Sequence, residues 1–486
     1  MLLLSKEMIP KVNGKLRSET LLYGLSKYAT VAVALVTTAV LSRLLTPQEY
    51  GVVSLITVFT AFFSVIADLG LGTAVIQNKA LEKKEIDDIY SVSVYFSMAL
   101  ALLFALLGFP ISLFYRDRVY RKICALLSFS VFFNAMNAIP NALLMKQKRF
   151  KLVGIRLITV ALATGAISIA MAYMGMSYYA LIGQSVFQAA AIFAWNWWNT
   201  RPTFHIKPRM ASVQKVKAFS TYQFLYNVVN YFARNLDNLL IGRVMGSTSL
   251  AYYDKGYKLM MYPVQNLTYV LNPILHPVLS EHQEDRRYIY DAYMKVVRVL
   301  STLGVLISVI CFWCSEEIVI LFFGKQWQAS VPVFRMLSLS VWPQMVASSA
   351  GSIYQSTGNT RLMLKSGMVH FSTTIVMIIL GVLSGDLIVL AKFVSVSLYM
   401  RFVIDYIFLI VRNFRYSFGE FLFSFRKEAL AAAAMMLVML LMNEKIQGGL
   451  WMRLLIKGGI AGFVGVAVLA CTGELRMIRT MFRKHK

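Results

Sequence analysis

RLLTPQEYGVVSLITVFTAFFSVIADLGLGTAVIQ, residues 43–77, decides the fold. A polar turn, Thr46-Pro47-Gln48-Glu49, separates an apolar run over 21–41 from a second over 52–67. Each run matches the ~20 residues a helix needs to cross a bilayer. The stretch therefore predicts a membrane hairpin closed by a turn of a few residues. The second run ends in an acid, Asp68, followed by Leu-Gly-Leu-Gly. Lipid contact does not explain a carboxylate there, which makes Asp68 the first candidate functional residue.

The rest of the chain has the same character. Of 486 residues, 58% are hydrophobic and 15% charged, where a soluble domain has ~45–50% and ~25%. The runs are long and continuous, so they predict helices; barrel strands would alternate. The expected fold is all-α and integral to the membrane, with about fourteen transmembrane helices. They fall near 21–43, 51–73, 89–114, 123–145, 152–174, 177–199, 217–242, 250–274, 290–314, 332–356, 365–384, 386–411, 426–443 and 451–472. An even number places both ends on one side.

Lys and Arg number 49 against 23 acids, a net charge of +26. On a membrane chain this excess reads as topology and not as nucleic-acid binding. Basic residues crowd the amino-terminal tail (1–20), the joints between spans four and five, six and seven, and twelve and thirteen, and the carboxy-terminal tail (473–486). All fall on one face, which is therefore cytoplasmic; the loop with Arg116, Arg118, Arg121 and Lys122 dissents. The amino terminus lacks the apolar core and cleavage site of a signal peptide. The four cysteines lie in or beside apolar segments and imply no disulfide framework; Cys311-Phe-Trp-Cys314 has redox spacing without a redox fold around it.

The chain repeats itself. A shift of 200 lays Arg43-Leu44-Leu45 on Arg243-Val244-Met245. A second echo sets Lys146–Leu152 against Thr357–Met363, each joining an even span to an odd one. Two pseudo-symmetric six-helix bundles follow, 21–199 and 217–411, joined by a cytoplasmic linker at 200–216. A further helix pair, 426–472, lies outside the repeat. Because six is even, both halves enter from the same side, a parallel repeat found in one class of transporter.

These residues carry a resemblance. Leu41-Ser-Arg-Leu-Leu-Thr-Pro-Gln-Glu-Tyr-Gly51, Ala67-Asp-Leu-Gly-Leu-Gly-Thr-Ala-Val-Ile-Gln77, Gln147-Lys-Arg-Phe150 and Ser356-Thr-Gly-Asn359 resemble the bacterial polysaccharide exporters. These are the Wzx-type flippases of the multidrug/oligosaccharidyl-lipid/polysaccharide (MOP) superfamily, and the likeness is strongest to the exopolysaccharide, colanic-acid-type branch. It weakens after span twelve. The resemblance implies two six-helix bundles opening alternately to each side. The substrate it implies is an undecaprenyl-diphosphate-linked oligosaccharide carried across a bacterial inner membrane for exopolysaccharide, O-antigen or capsule synthesis. Polysaccharide polymerase and export machinery are the protein partners it suggests.

Ionisable residues inside a membrane are costly and face a cavity or a partner. In span seven Tyr226, Asn227, Asn230, Arg234 and Asp237 recur at helical steps and share one face. Span eight adds Asp254, Lys255 and Lys258, and span one adds Lys27. One reading is a basic cavity: Arg and Lys for a diphosphate, Asn and Tyr for sugar hydroxyls. The substrate-binding candidates are then Lys27, Tyr226, Asn227, Asn230, Arg234, Lys255 and Lys258. The competing reading is internal ion pairing, Arg234 with Asp237 and Asp254 with Lys258 at i,i+4. Asp68, Asp237 and Asp254 are candidates for coupling to H+ or Na+, Asp68 with Lys27 as a possible partner or merely as a cap. Arg156, at the start of span five, is expected to snorkel to the interface. Arg401 and Asp405 are expected to pair within span twelve, and His370, alone in span eleven, reads as structural or as a proton relay.

Several classes fall away. Glu281, His276 and His282 do not have metal-site spacing, and no phosphate-binding loop, dinucleotide fingerprint or nucleophile elbow occurs. No catalysis and no cofactor are expected. The alternatives are a MATE-like small-molecule exporter, which would want acids in its cavity, and a membrane polymerase, which would want a larger outer loop than residues 315–331.

Overall fold

The computed structural model describes residues 14–68, 72, 75–76, 81–209, 231, 235–268 and 285–483, and every regular element among them is helical. The chain divides into two compact units, Met1–Arg243 and Val244–Lys486.

The first unit holds α1 (Gly14–Leu44), α2 (Pro47–Asp68), α3 (Lys83–Phe114), α4 (Val119–Met136), α5 (Ala138–Lys146), α6 (Phe150–Tyr173), α7 (Tyr179–Thr200) and all but the last residue of α8 (235–244). α1 packs along α6, α3 along α4, and α7 against both α4 and α6. The α1–α6 seam is close because glycines lie opposite small hydroxyl residues. A Cβ on Gly154 would stand 2.8 Å from Ser26 Oγ, and one on Gly165 would stand 2.6 Å from Thr37 Oγ1. Small residues that let backbones approach are the usual adhesive between helices in lipid.

The turn that opened the sequence reading is a capping box. Glu49 Oε2 accepts from the Thr46 N–H at 2.7 Å, and Thr46 Oγ1 accepts from the Glu49 N–H at 3.3 Å. Pro47 takes the first helical position, where a missing N–H costs nothing. The Ser177 hydroxyl, in the turn between α6 and α7, donates to Glu49 Oε1 and ties the two turns together.

The second unit holds α9 (Ser247–Thr268), α10 (Arg286–Trp313), α11 (Ser315–Phe323), α12 (Ser330–Ser338), α13 (Val341–Ala347), α14 (Ala350–Ser356), α15 (Thr360–Leu383) and α16 (Leu387–Tyr406). α16 runs on as a π-helix, Ile407–Phe414, followed by α17 (Phe418–Phe423), α18 (Arg426–Met442), α19 (Leu450–Cys471) and α20 (Glu474–Arg483). An aromatic core of Tyr293, Phe402, Tyr406, Phe421 and Phe425 binds α10 to the end of α16 and to α17. The helix pair α18–α19 docks on α10 through Val309, Met435, Met439 and Ala461. Two ion-pair groups reinforce that docking. Fully buried Glu317 meets Lys457 Nζ at 2.8 Å and Arg453 Nε at 3.4 Å; buried Glu474 meets Lys427 Nζ at 3.1 Å and Arg298 Nη1 at 3.6 Å.

Among the described residues, nine helices are long and apolar enough to cross a membrane. Physical reasons separate this from the expected fourteen. The span at 332–356 is broken into α12, α13 and α14, with Pro343 inside the middle piece. α9 carries Asp254, Lys255 and Lys258 within one helix, and α18 has 17 residues. α7 is helical, but it is not among the nine. The span expected at 217–242 lies mostly outside the described residues.

Two pairs of element starts are spaced alike, by 200 and by 210 residues. α2 begins at Pro47 and α9 at Ser247. α6 and α15 each have 24 residues and begin at Phe150 and Thr360.

Candidate functional site

The eighth span, α9, carries the densest group of candidate charges that the structure describes. Lys255 is buried, with Nζ 4.6 Å from the centre of the Phe323 ring and 4.9 Å from that of Trp327. A cation over ring faces replaces part of the hydration it loses. Lys258, one turn on, is exposed and donates from Nζ to Asp254 Oδ2 at 2.6 Å. The i,i+4 pairing that competed with substrate binding is thus present for Asp254 and Lys258. Lys255 is packed against aromatic rings, while Lys258 is exposed and held by Asp254.

Of the span-seven stripe, Tyr226, Asn227, Asn230 and Arg234 lie outside the described residues, so the Arg234–Asp237 pair does too. Asp237 is buried in α8, and its Oδ1 accepts from the Asn238 N–H at 2.8 Å. Within the same stretch the Tyr231 hydroxyl donates to the Val58 carbonyl of α2. Lys27 lies on an exposed part of α1. Asp68 ends α2, and its side chain is outside the described residues, as are His276, Glu281 and His282. Arg43 and Arg243 are exposed at their helix ends, and the Arg243 guanidinium lies 5.0 Å from the centre of the Phe114 ring.

Two polar centres inside the helix bundles escaped the sequence reading in whole or part. The first corrects the expectation for Arg156. It does not snorkel; it is 6% exposed between α6, α5 and α7. Its Nη1 donates to Asn196 Oδ1 at 2.6 Å and to Asn141 Oδ1 at 3.1 Å. Asn196 in turn donates to Asn137 Oδ1 at 2.7 Å. The guanidinium is held by neutral amide oxygens, which supply directed acceptors without a full opposing charge.

The second centre corrects the picture of His370 as a solitary residue. Its Nδ1 lies 2.9 Å from Asp405 Oδ1, which also accepts from the Ser366 hydroxyl at 2.6 Å. Arg401 Nε approaches Asp405 Oδ2 at 3.5 Å, the intrahelical pair expected from i,i+4 spacing. Arg156 and Ser366 hold the same position, the seventh residue, in the matching helices α6 and α15. The centre of the first unit, on α5, α6 and α7, is cationic, and that of the second, on α15 and α16, is acid–imidazole. The separation in sequence between His370 and Asp405, 35 residues, hid their contact.

Comparisons with known proteins extend this geometry. A family model described as "Polysaccharide biosynthesis protein" matches residues 40–332, more than half of the chain. The lipopolysaccharide biosynthesis protein WzxC of Escherichia coli K12 is 21% identical over 72% of this chain and 72% of its own length. Among solved structures, the lipid II flippase MurJ matches 94% of this chain and 100% of its own, with a TM-score of 0.74 at 12% identity. A MATE multidrug transporter of the MOP superfamily matches 77% of this chain and 93% of its own, with a TM-score of 0.59 at 14% identity. The chain shares its fold with these two structures.

Proposed function

The chain belongs to the polysaccharide biosynthesis protein family, and from that premise we propose that it flips undecaprenyl-diphosphate-linked oligosaccharide repeat units across the bacterial inner membrane. It is a multi-pass transporter of lipid-linked oligosaccharides and not an enzyme. The observation that carries this reading is the fold, shared along 94% of the chain with a lipid II flippase, in a member of a polysaccharide family.

The physical problem is to move a polar, anionic headgroup through oil while the lipid tail stays in it. Alternating access solves this without opening a continuous pore. Arg234, Lys255 and Lys258 are the cations proposed to meet the diphosphate, with Lys27 contributing from α1. Tyr226, Asn227 and Asn230 supply donors and acceptors for sugar hydroxyls. Lys258 already holds Asp254, so on this reading substrate displaces the acid as it binds. Asp68 and Asp237 are the further acids proposed to couple transport to H+ or Na+. Both termini are cytoplasmic by the distribution of basic residues, and a polymerase at the outer face would consume the product. Export of small cations is the weaker reading, because a cation would meet Lys255 and Lys258 on α9.

The test is transbilayer movement of a fluorescent polyprenyl-diphosphate oligosaccharide by the purified protein in liposomes. Movement that depends on the protein supports the reading. Failure to move it, with export of organic cations instead, overturns it.

A further inference from the structure

The transporter reading makes no use of one cluster of polar side chains, formed by His370, Asp405, Ser366 and Arg401. All four lie on α15 and α16, which pack against each other along their length. His370 is ten residues from the first residue of α15, and Asp405 is nine from Phe414, where the π-helix ends. At 1.5 Å per residue or less that is at most roughly 15 Å from the helix ends, within helices long and apolar enough to cross a membrane. Ionisable groups at that depth are expensive and mark functional positions.

The hydrogen bonding assigns the protons. A carboxylate only accepts, so with Asp405 ionised its Oδ1 takes the Ser366 hydroxyl at 2.6 Å and an Nδ1–H from His370 at 2.9 Å. That tautomer leaves His370 Nε2 as the base. The other groups around the acid are accounted for. Arg401 Nε stands 3.5 Å from Oδ2, the Tyr354 hydroxyl donates to the Asp405 carbonyl at 2.9 Å, and the hydroxyls of Tyr293 and Tyr406 bond each other at 2.6 Å beside it. Asp405 is sealed more tightly than His370, with 10% and 18% of their side chains exposed. The imidazole is the more accessible member. With His370 neutral, Arg401 and Asp405 cancel; one added proton leaves the cluster with a charge of +1.

A second observation points to movement at the same place. α16 passes into the eight-residue π-helix Ile407–Phe414 directly after Asp405 and Tyr406. π-helical segments are rare and concentrate at functional sites. A charge appearing on His370 falls against Asp405, two residues before that segment begins.

We propose that His370, held by Asp405 and Ser366, is a proton-binding site of the second unit, and that its Nε2 takes up and gives back one proton per transport cycle. This rests on the transporter reading and adds to it a proton as coupling ion and a site for it in the second unit, separate from the acids Asp68 and Asp237.

Two measurements test it. The first is ring-15N NMR of histidine in the purified full-length chain. Among the five histidines in the sequence, the His370 resonance is identified by its loss in His370→Gln, and its midpoint should shift in Asp405→Asn and Ser366→Ala. A His370 signal that never titrates overturns the site whatever the substrate. The second is flipping of the polyprenyl-diphosphate probe in liposomes under an imposed pH gradient. One coupled proton sets a tenfold accumulation per pH unit. His370→Gln should abolish that accumulation while equilibration without a gradient persists. Accumulation retained in His370→Gln, or driven by sodium alone, overturns the proposal. If the wild-type chain moves no probe while His370 titrates as described, it is the substrate reading that fails.

Discussion

Lys148 and Gly358 occupy the same step of the same turn, one in each repeat, and both carry a positive φ, 55° and 68°. The bonding around them matches. Lys148 N–H donates to Met145 O and Arg149 N–H to Leu144 O; Gly358 N–H donates to Gln355 O and Asn359 N–H to Tyr354 O. This is a helix end closed by a left-handed residue, a place that favours glycine.

A lysine held left-handed stores about 1 kcal/mol of strain that glycine would not. Lys148→Gly is therefore expected to raise the thermal midpoint in detergent slightly, since the added freedom of the unfolded chain offsets part of the relief. Gly358→Lys should lower it by a similar amount. A loss of stability in Lys148→Gly would mean that the lysine side chain has a binding role of its own.

The turn at Thr46–Glu49 yields a second expectation. Thr46→Ala and Glu49→Ala each remove half of one capping box and should cost about 1 kcal/mol apiece. Because they break the same unit, the double variant should cost clearly less than the sum. Glu49→Ala also frees the Ser177 hydroxyl, so it should be the more damaging single change. Urea or thermal unfolding of the four proteins completes the cycle.

Much of this was legible in the sequence, and the boundary of legibility is physical. The hairpin at 43–77 could be read because two apolar runs and a polar turn are local facts. Asp254–Lys258 and Arg401–Asp405 could be read because helical geometry alone brings i and i+4 together. His370–Asp405 could not, because their contact depends on which faces of α15 and α16 meet. Arg156 misled for a related reason: a cation near a helix end normally reaches for water, and its actual partners, Asn141 and Asn196, are 15 and 40 residues away and carry no charge to betray them. The breaks at 338–341 and 347–350 were hidden inside a stretch apolar enough to read as one span.

The two lysines of α9 separate the readings of the candidate site. Lys258 is exposed but its partner Asp254 is largely buried, so Lys258→Met leaves that acid short of its counter-charge and should cost about 1 kcal/mol. Lys255→Met keeps the packing against Phe323 and Trp327 and removes the charge, and the protein should still insert and fold. On the substrate reading Lys255→Met lowers probe flipping at least tenfold and Lys258→Met lowers it less. Normal flipping in both, with normal folding, leaves these lysines a structural role only.

The docking of the carboxy-terminal helix pair rests on a contact between residues 140 apart, Lys457 Nζ and Glu317 Oε1. Glu317 has no exposed surface, and its other basic neighbour, Arg453, is farther away and also faces Glu316 at 3.4 Å. Removing Lys457 leaves a buried carboxylate undercompensated, and losses of about 3 kcal/mol follow from breaking such pairs on one side. Lys457→Met is thus expected to lower stability sharply and to loosen α19, read as faster hydrogen exchange over 450–471. Removing the orphaned charge as well should repair most of the damage, because an apolar pair of similar volume needs no desolvation. Glu317→Leu combined with Lys457→Met should therefore recover more than half of the loss. If the double variant is no better than Lys457→Met alone, the pair orients the helices rather than merely neutralising two charges, and Arg453 is the residue left to explain how.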